Sequence, residues 1–217
     1  MKPTRPTERR AAGIALATAL VPAVAIHLCF LLAVGQGFIP SCVPYLEGCT
    51  SISSTGRHGA AYWLFKATML PQAALLFFFW GWLANGLGHA RVLRIVGRIG
   101  AAFLVLYVVF LGADNEIYRL MRRYGVFVYF IATFVAMVIA SLRIRRRAVG
   151  TNSARILIVL CAAMLCLGLM EAPLGQFGLA DNQAENLIEW NFALLMQSWF
   201  LVCWVMRTSL TLNPTPD

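Results

Sequence analysis

Asp181, Glu185 and Glu189 recur at every fourth position, so on a helix their carboxylates form one stripe. Trp190 and Asn191 follow Glu189, and Trp is enriched where a helix meets a membrane surface. A second polar cluster comprises Asp114, Asn115, Glu116, Arg119, Arg122 and Arg123. If this stretch is helical, Glu116, Arg119 and Arg123 share a face. Two chemistries compete for such a set. One is an exposed ladder of ion pairs with small energetic weight. The other is a rim for phosphate oxygens, which the arginine fork fits. Carboxylates gathered in a pocket can also have their proton affinity shifted toward acid or base work. Glu189 and Glu116 are the candidates for that role. Lys66, Arg119, Arg122, Arg123, Glu171 and Tyr45 are the candidate contacts to a lipid head group.

Lys66 and His27 lie inside apolar runs. A charge there is a functional candidate by default, although a lysine near the interface also snorkels to the head groups. Pro71 should kink the run that holds Lys66, and Gln72 then either satisfies a freed carbonyl or faces a cavity. His27 reads first as a hydrogen bonder between helices and second as a ligand. His58 and His89 fall in different connections, so the three histidines do not make one zinc site, and no metal or cofactor is expected. Cys42 and Cys49 stand seven apart in a Gly, Pro and Ser-punctuated loop. They are either a disulfide or two free thiols. Cys29, Cys161, Cys166 and Cys203 lie in apolar runs as small packing residues. No G-x-S-x-G, P-loop, H-E-x-x-H or usable G-x-G-x-x-G is present.

The elements that must position these groups follow from composition. Of 217 residues, 60% are hydrophobic and 12% charged, with a mean hydropathy of +0.73. Disordered chains are charged and poor in large apolar groups, and a soluble domain has too little interior for this much apolar surface. The chain is therefore expected to be a polytopic membrane protein. Continuous apolar runs cover residues 11–34, 61–83, 99–113 (with Val92 as an earlier start), 125–142, 156–170 and 188–206. Helices are the form such runs take in lipid, because each backbone group must be satisfied within its own segment. The first run is too long for the core of a cleaved signal and reads as a retained span. The expected fold is all-α: an integral membrane bundle of six transmembrane helices with both termini cytoplasmic. Residues 1–10 form a basic cytoplasmic tail, 11–207 the membrane domain and 208–217 a disordered tail.

Orientation rests on the basic connections. The N-terminal tail carries Lys2, Arg5, Arg9 and Arg10, and the second connection Arg91, Arg94 and Arg98. The fourth carries Arg143, Arg145, Arg146, Arg147 and Arg155, and Arg207 follows the last run. The positive-inside rule assigns all of these to the cytoplasm. Glu47, Asp114, Glu116, Glu171, Asp181, Glu185 and Glu189 then lie on the opposite side, seven of the nine acids. The net charge of +9 is thus explained by topology, and a nucleic-acid partner is not expected. Three arginines, Arg119, Arg122 and Arg123, stand on the side the rule disfavours, which points to an anionic ligand there.

Three places in the chain resemble one known family. The first loop has Cys42-Val43-Pro44-Tyr45 and then Ser51-Ile52-Ser53. The third connection has Asn115-Glu116, followed by Tyr124-Gly125 and the aromatic pair Tyr129-Phe130. The last run opens Glu185-Asn186-Leu187-Ile188-Glu189-Trp190. In order and position these resemble the six-span group of the DRAM autophagy modulators and the CWH-type proteins that remodel GPI-anchor lipids. Arg122 and Arg123 stand where that family often has a histidine. The resemblance implies a lipid-facing role on the outer or lumenal side. The expected function is binding or remodelling of a lipid or glycolipid head group, in the plasma or inner membrane of a bacterium or a secretory-pathway membrane of a eukaryote. The alternatives are a non-enzymatic scaffold that contacts a partner protein and, third, a small transporter.

Overall fold

A computed structural model describes residues 6–112, 116–147, 151–170 and 182–206, with side chains from residue 13 onward except that of residue 151. The described residues are helix and short connections, without a strand. The helices are α1 (Pro6–Gly35), α2 (Pro44–Glu47), α3 (Ile52–Thr55), α4 (Gly59–Gly86), α5 (Arg91–Val109), α6 (Glu116–Arg146), α7 (Thr151–Leu169) and α8 (Gln183–Val205). Six of them, all but α2 and α3, are long and apolar enough to cross a membrane.

The elements outrun the apolar runs in two informative places. Helix α5 begins at Arg91 and ends at Val109, so Arg91, Arg94 and Arg98 belong to its first turns and not to a loop. The fourth span extends back to Glu116, which puts Glu116, Arg119, Arg122 and Arg123 on one continuous helix with the apolar run. Arginine and glutamate are good helix formers, so a polar extension of an apolar helix has little intrinsic cost.

The six long helices close into a ring. Helix α1 packs on α4, α4 on α5, α5 on α6, α6 on α7, α7 on α8, and α8 returns to α1. Large apolar side chains such as Leu31, Phe78, Val159 and Leu169 face outward, as a lipid solvent requires. Short connections make successive helices alternate in direction. One end therefore carries the α2–α3 loop, Glu116 and Glu185, and the other carries Arg91, Arg94, Arg145 and Arg146. These are called below the capped end and the arginine-rich end.

Close approach inside the ring uses glycine, as in lipid-embedded packing generally. At Gly125 a Cβ would meet the Tyr107 backbone at 2.8 and 2.9 Å, so α6 lies directly against α5 there. Toward the arginine-rich end, Phe79, Trp80, Trp199 and Phe200 form an aromatic core with centroids 5.0 to 6.4 Å apart. Pro22 cannot donate to the Thr18 carbonyl of its own helix. Gln72, buried on α4, donates its Nε2 to that carbonyl at 3.0 Å. The expected partner for Gln72 is thus a freed carbonyl, but the proline that frees it is Pro22 of α1 rather than its neighbour Pro71.

Candidate functional site at the capped end

The first loop is not a loose connection. Cys42 and Cys49 form a disulfide with 6.7 Å between their Cα atoms. Within it, Glu47 accepts the Val43 N–H at 2.7 Å and closes the single turn of α2. Helix α3 is also one turn, and its leading N–H groups have no partner inside it. Ser51 Oγ accepts the Ser54 N–H at 3.0 Å. Glu189, from the second turn of α8, accepts the Ile52 N–H at 3.1 Å. A carboxylate at a helix N-terminus is favoured by both hydrogen bonding and the peptide dipoles.

Neighbours of Glu189 on α8 hold the rest of the loop. Asn186 Nδ2 donates to the Gly48 carbonyl at 2.8 Å, Trp190 Nε1 to Thr50 at 2.8 Å and Asn191 Nδ2 to Tyr45 at 2.9 Å. These four residues place the loop as a cap across the end of the bundle. Trp190 is fully buried, with the rings of Tyr45, His27 and Phe30 at 5.2, 5.8 and 5.9 Å. His27 Nδ1–H donates to the Ala23 carbonyl at 2.6 Å, which leaves Nε2 to accept the Tyr45 hydroxyl at 2.9 Å. Burial pushes the Tyr45 phenol above its ordinary value.

Beneath the cap lies a cavity of about 40 Å³, room for a few waters. Its walls include Ile26, Phe65, Met69 and Leu104, and its polar lining is Glu189, Tyr107, Tyr129 and Gln197. The Tyr107 hydroxyl and Gln197 Oε1 are buried with no hydrogen-bond partner among the described residues. Buried polar atoms are almost always satisfied, and these two unpaired atoms line one small cavity. The close approach at Gly125 is what holds Tyr107 there.

Two guanidinium groups lie within electrostatic reach of the cavity's polar lining without lining it themselves. Arg57, just beyond α3, donates Nη2 to Ser53 Oγ at 2.7 Å, while its buried Nε has no partner among the described residues. Arg57 is within electrostatic reach of Glu189, Tyr107 and Arg122. Arg122, partly buried, is within electrostatic reach of Tyr107 and Arg57. One cation therefore stands near the carboxylate, and two stand near a phenol that is unpaired among the described residues. Groups of these types are suited to charge-assisted hydrogen bonds with an anion and to proton exchange.

The other candidates divide clearly. Glu116 and Arg119 form the one ion pair among the described residues, at 3.4 Å and well exposed, with Arg123 exposed beside them. Lys66 does not join the carboxylates. Its Nζ donates to the Tyr62 hydroxyl and, at 3.2 Å, to the Val109 carbonyl, while lying 4.3 Å from the Tyr62 ring centroid. That carbonyl ends α5, where a cation is favoured. Glu171, Asp114 and Asp181 lie outside the described residues. Among the described residues no three His, Cys, Asp or Glu side chains gather as metal ligands. Arg57, Tyr107 and Gln197 were not legible as site residues. Arg57 carried one signal, a lone cation in a Ser-rich loop on the side that the positive-inside rule disfavours. Tyr107 and Gln197 look like ordinary members of apolar runs. Comparison with models of known families, with curated proteins and with solved structures finds no match.

Proposed function

We propose that this chain is a multi-pass membrane protein that binds, and serves the remodelling of, a phosphate-bearing lipid or glycolipid head group at its capped end. The observation that carries the reading is the pair of buried donors without a partner among the described residues, Arg57 Nε and the Tyr107 hydroxyl, both within electrostatic reach of Glu189. Arg57 and Arg122 hold the phosphate, with Arg119 and Arg123 at the exposed rim. Glu189, the carboxylate of the cavity, orients the cap and supplies the acid–base group, and Glu116 contacts the head group from outside. The capped end faces the exterior or lumen in this reading, with both chain termini in the cytoplasm. Support comes from the arginine-rich opposite end and from a disulfide suited to an oxidising compartment. The likeness to the DRAM and CWH-type group agrees.

The test is lipidomics of a deletion strain complemented by Arg57→Gln, Arg122→Gln and Glu189→Gln, together with native mass spectrometry of the purified variants. Loss of one charge-assisted contact should weaken head-group retention about tenfold. Wild-type lipid profiles and retention in all three variants would dismiss the proposal. A second reading, a scaffold for a partner protein, is favoured by Leu46, which stands 77% exposed on α2. Under that reading Leu46→Asp releases a crosslinked partner and leaves the lipids unchanged.

A further inference from the structure

A second polar cluster lies at the arginine-rich end, between α4 and α5. Phe77, Gly81 and Asn85 recur at every fourth position on α4 and form one stripe. Arg94 and Arg98 are likewise one turn apart on α5. The two stripes meet in antiparallel order. The Arg98 guanidinium lies over the Phe77 ring at 4.1 Å, a cation–π arrangement. Gly81 leaves the room: a Cβ there would stand 3.2 Å from Arg98 Nη2. One turn along, Arg94 donates Nη2 to Asn85 Oδ1. From the end of α6, Arg147 donates Nη1 to the Gly86 carbonyl at 3.0 Å.

The guanidinium groups of Arg94 and Arg98 are thus held in place, yet neither is neutralised. Both Nε atoms are buried without a hydrogen-bond partner among the described residues. The one ion pair among those residues is Glu116–Arg119, at the opposite end. Each guanidinium keeps Nη donors beyond these contacts, and the two residues stand one turn apart on the same face of α5. No carboxylate among the described residues pairs with either, so an anion with several oxygens is the partner the two lack. The aromatic floor at Phe77 and the outward apolar side chains Phe78 and Ile95 suit an acyl chain leading away from such an anion.

We infer that the α4–α5 cluster is a phosphate-group site in which Arg94 and Arg98 hold the anion between them through their remaining Nη donors, separate from the cavity at the capped end. The phosphate comes either from an acidic phospholipid or from free phosphate, and the two sources are distinguished by experiment. Detergent-purified protein is mixed with phosphatidylglycerol and followed by native mass spectrometry. The wild type is expected to retain the lipid, and Arg94→Gln/Arg98→Gln to lose about tenfold in affinity. Arg94→Lys/Arg98→Lys keeps both charges and the topology signal but lacks the fork, and is expected to lose several-fold. Arg145→Gln/Arg146→Gln, two exposed arginines at the same end, is expected to leave retention unchanged. Thermal protection by inorganic phosphate alone, abolished in Arg94→Gln/Arg98→Gln, would support the site and assign it to the free anion. Unchanged lipid and phosphate binding in Arg94→Gln/Arg98→Gln would overturn it. So would an equal loss in the Arg145→Gln/Arg146→Gln control, which would reduce the effect to general surface charge.

Discussion

Replacing Glu189 by alanine should open the cap without unfolding the bundle. The side chain accepts the N–H of Ile52. A stranded buried donor costs about 1–3 kcal/mol, so the loss is about 2 kcal/mol in local stability. At 1.36 kcal/mol per factor of ten, that is an increase of about 30-fold in the opening equilibrium. Glutamine keeps an acceptor oxygen and loses the charge. Charge-assisted bonds are roughly twice as strong as neutral ones, so Glu189→Gln should cost about half as much and raise opening about fivefold. The assay is amide hydrogen exchange of the purified protein in nanodiscs, read over residues 42–57, with α5 as the internal control. Asn186, Trp190 and Asn191 still hold the loop in both variants, so the change should be confined to the cap. Equal protection of residues 52–54 in wild type and Glu189→Ala would refute the capping role. A loss spread evenly over the helices would also refute it, because it would mean that Glu189 supports the bundle and not the loop.

Cys42→Ser/Cys49→Ser should lower cap stability by about 2.5 kcal/mol, the loop-closure entropy for a bridge spanning seven residues. Its effect should be less than additive with Glu189→Ala, since both act on one element, and hydrogen exchange of the combined variant measures this. Gly125→Ala places a methyl against the Tyr107 backbone and should cost about 2 kcal/mol. Gly168→Ala, where no atom lies within 4 Å, should be neutral or slightly stabilising, and thermal unfolding in detergent compares the two. The Tyr45 phenol is raised above its unfolded value, which is about 10. Its contribution to cap stability is therefore complete below that pH and lost as pH rises through the folded value. Protection of the 42–57 segment should fall as pH rises above about 10 in the wild type, and Tyr45→Phe should remove that step.

Much of the architecture follows from solvent matching alone. A run such as residues 125–142 has no stable form in lipid other than a helix, so membrane class and the number of long apolar helices were readable from composition and run length. The alternation of arginine-rich and acid-bearing connections was readable for the same reason. The Cys42–Cys49 spacing left bond and free thiols open, and only the fold brought the two sulfurs together. Helix ends were less legible, because the apolar signal stops before the backbone hydrogen bonding does, as at Arg91 and Glu116.

The site itself was decided by packing between distant segments. Glu189 and Ile52 are far apart in sequence, and nothing local to either tells that one caps the other. Lys66 and Phe65 are adjacent, yet one helical step sends Phe65 to the cavity and Lys66 to the end of α5. Tyr107 becomes a site residue because Gly125 lets α6 press against α5 and fix its height in the bundle. Sequence periodicity determines which residues share a face of one helix. Which faces meet depends on the rotation and depth of every helix against its neighbours, and those are settled only when all the contacts of the ring are satisfied together.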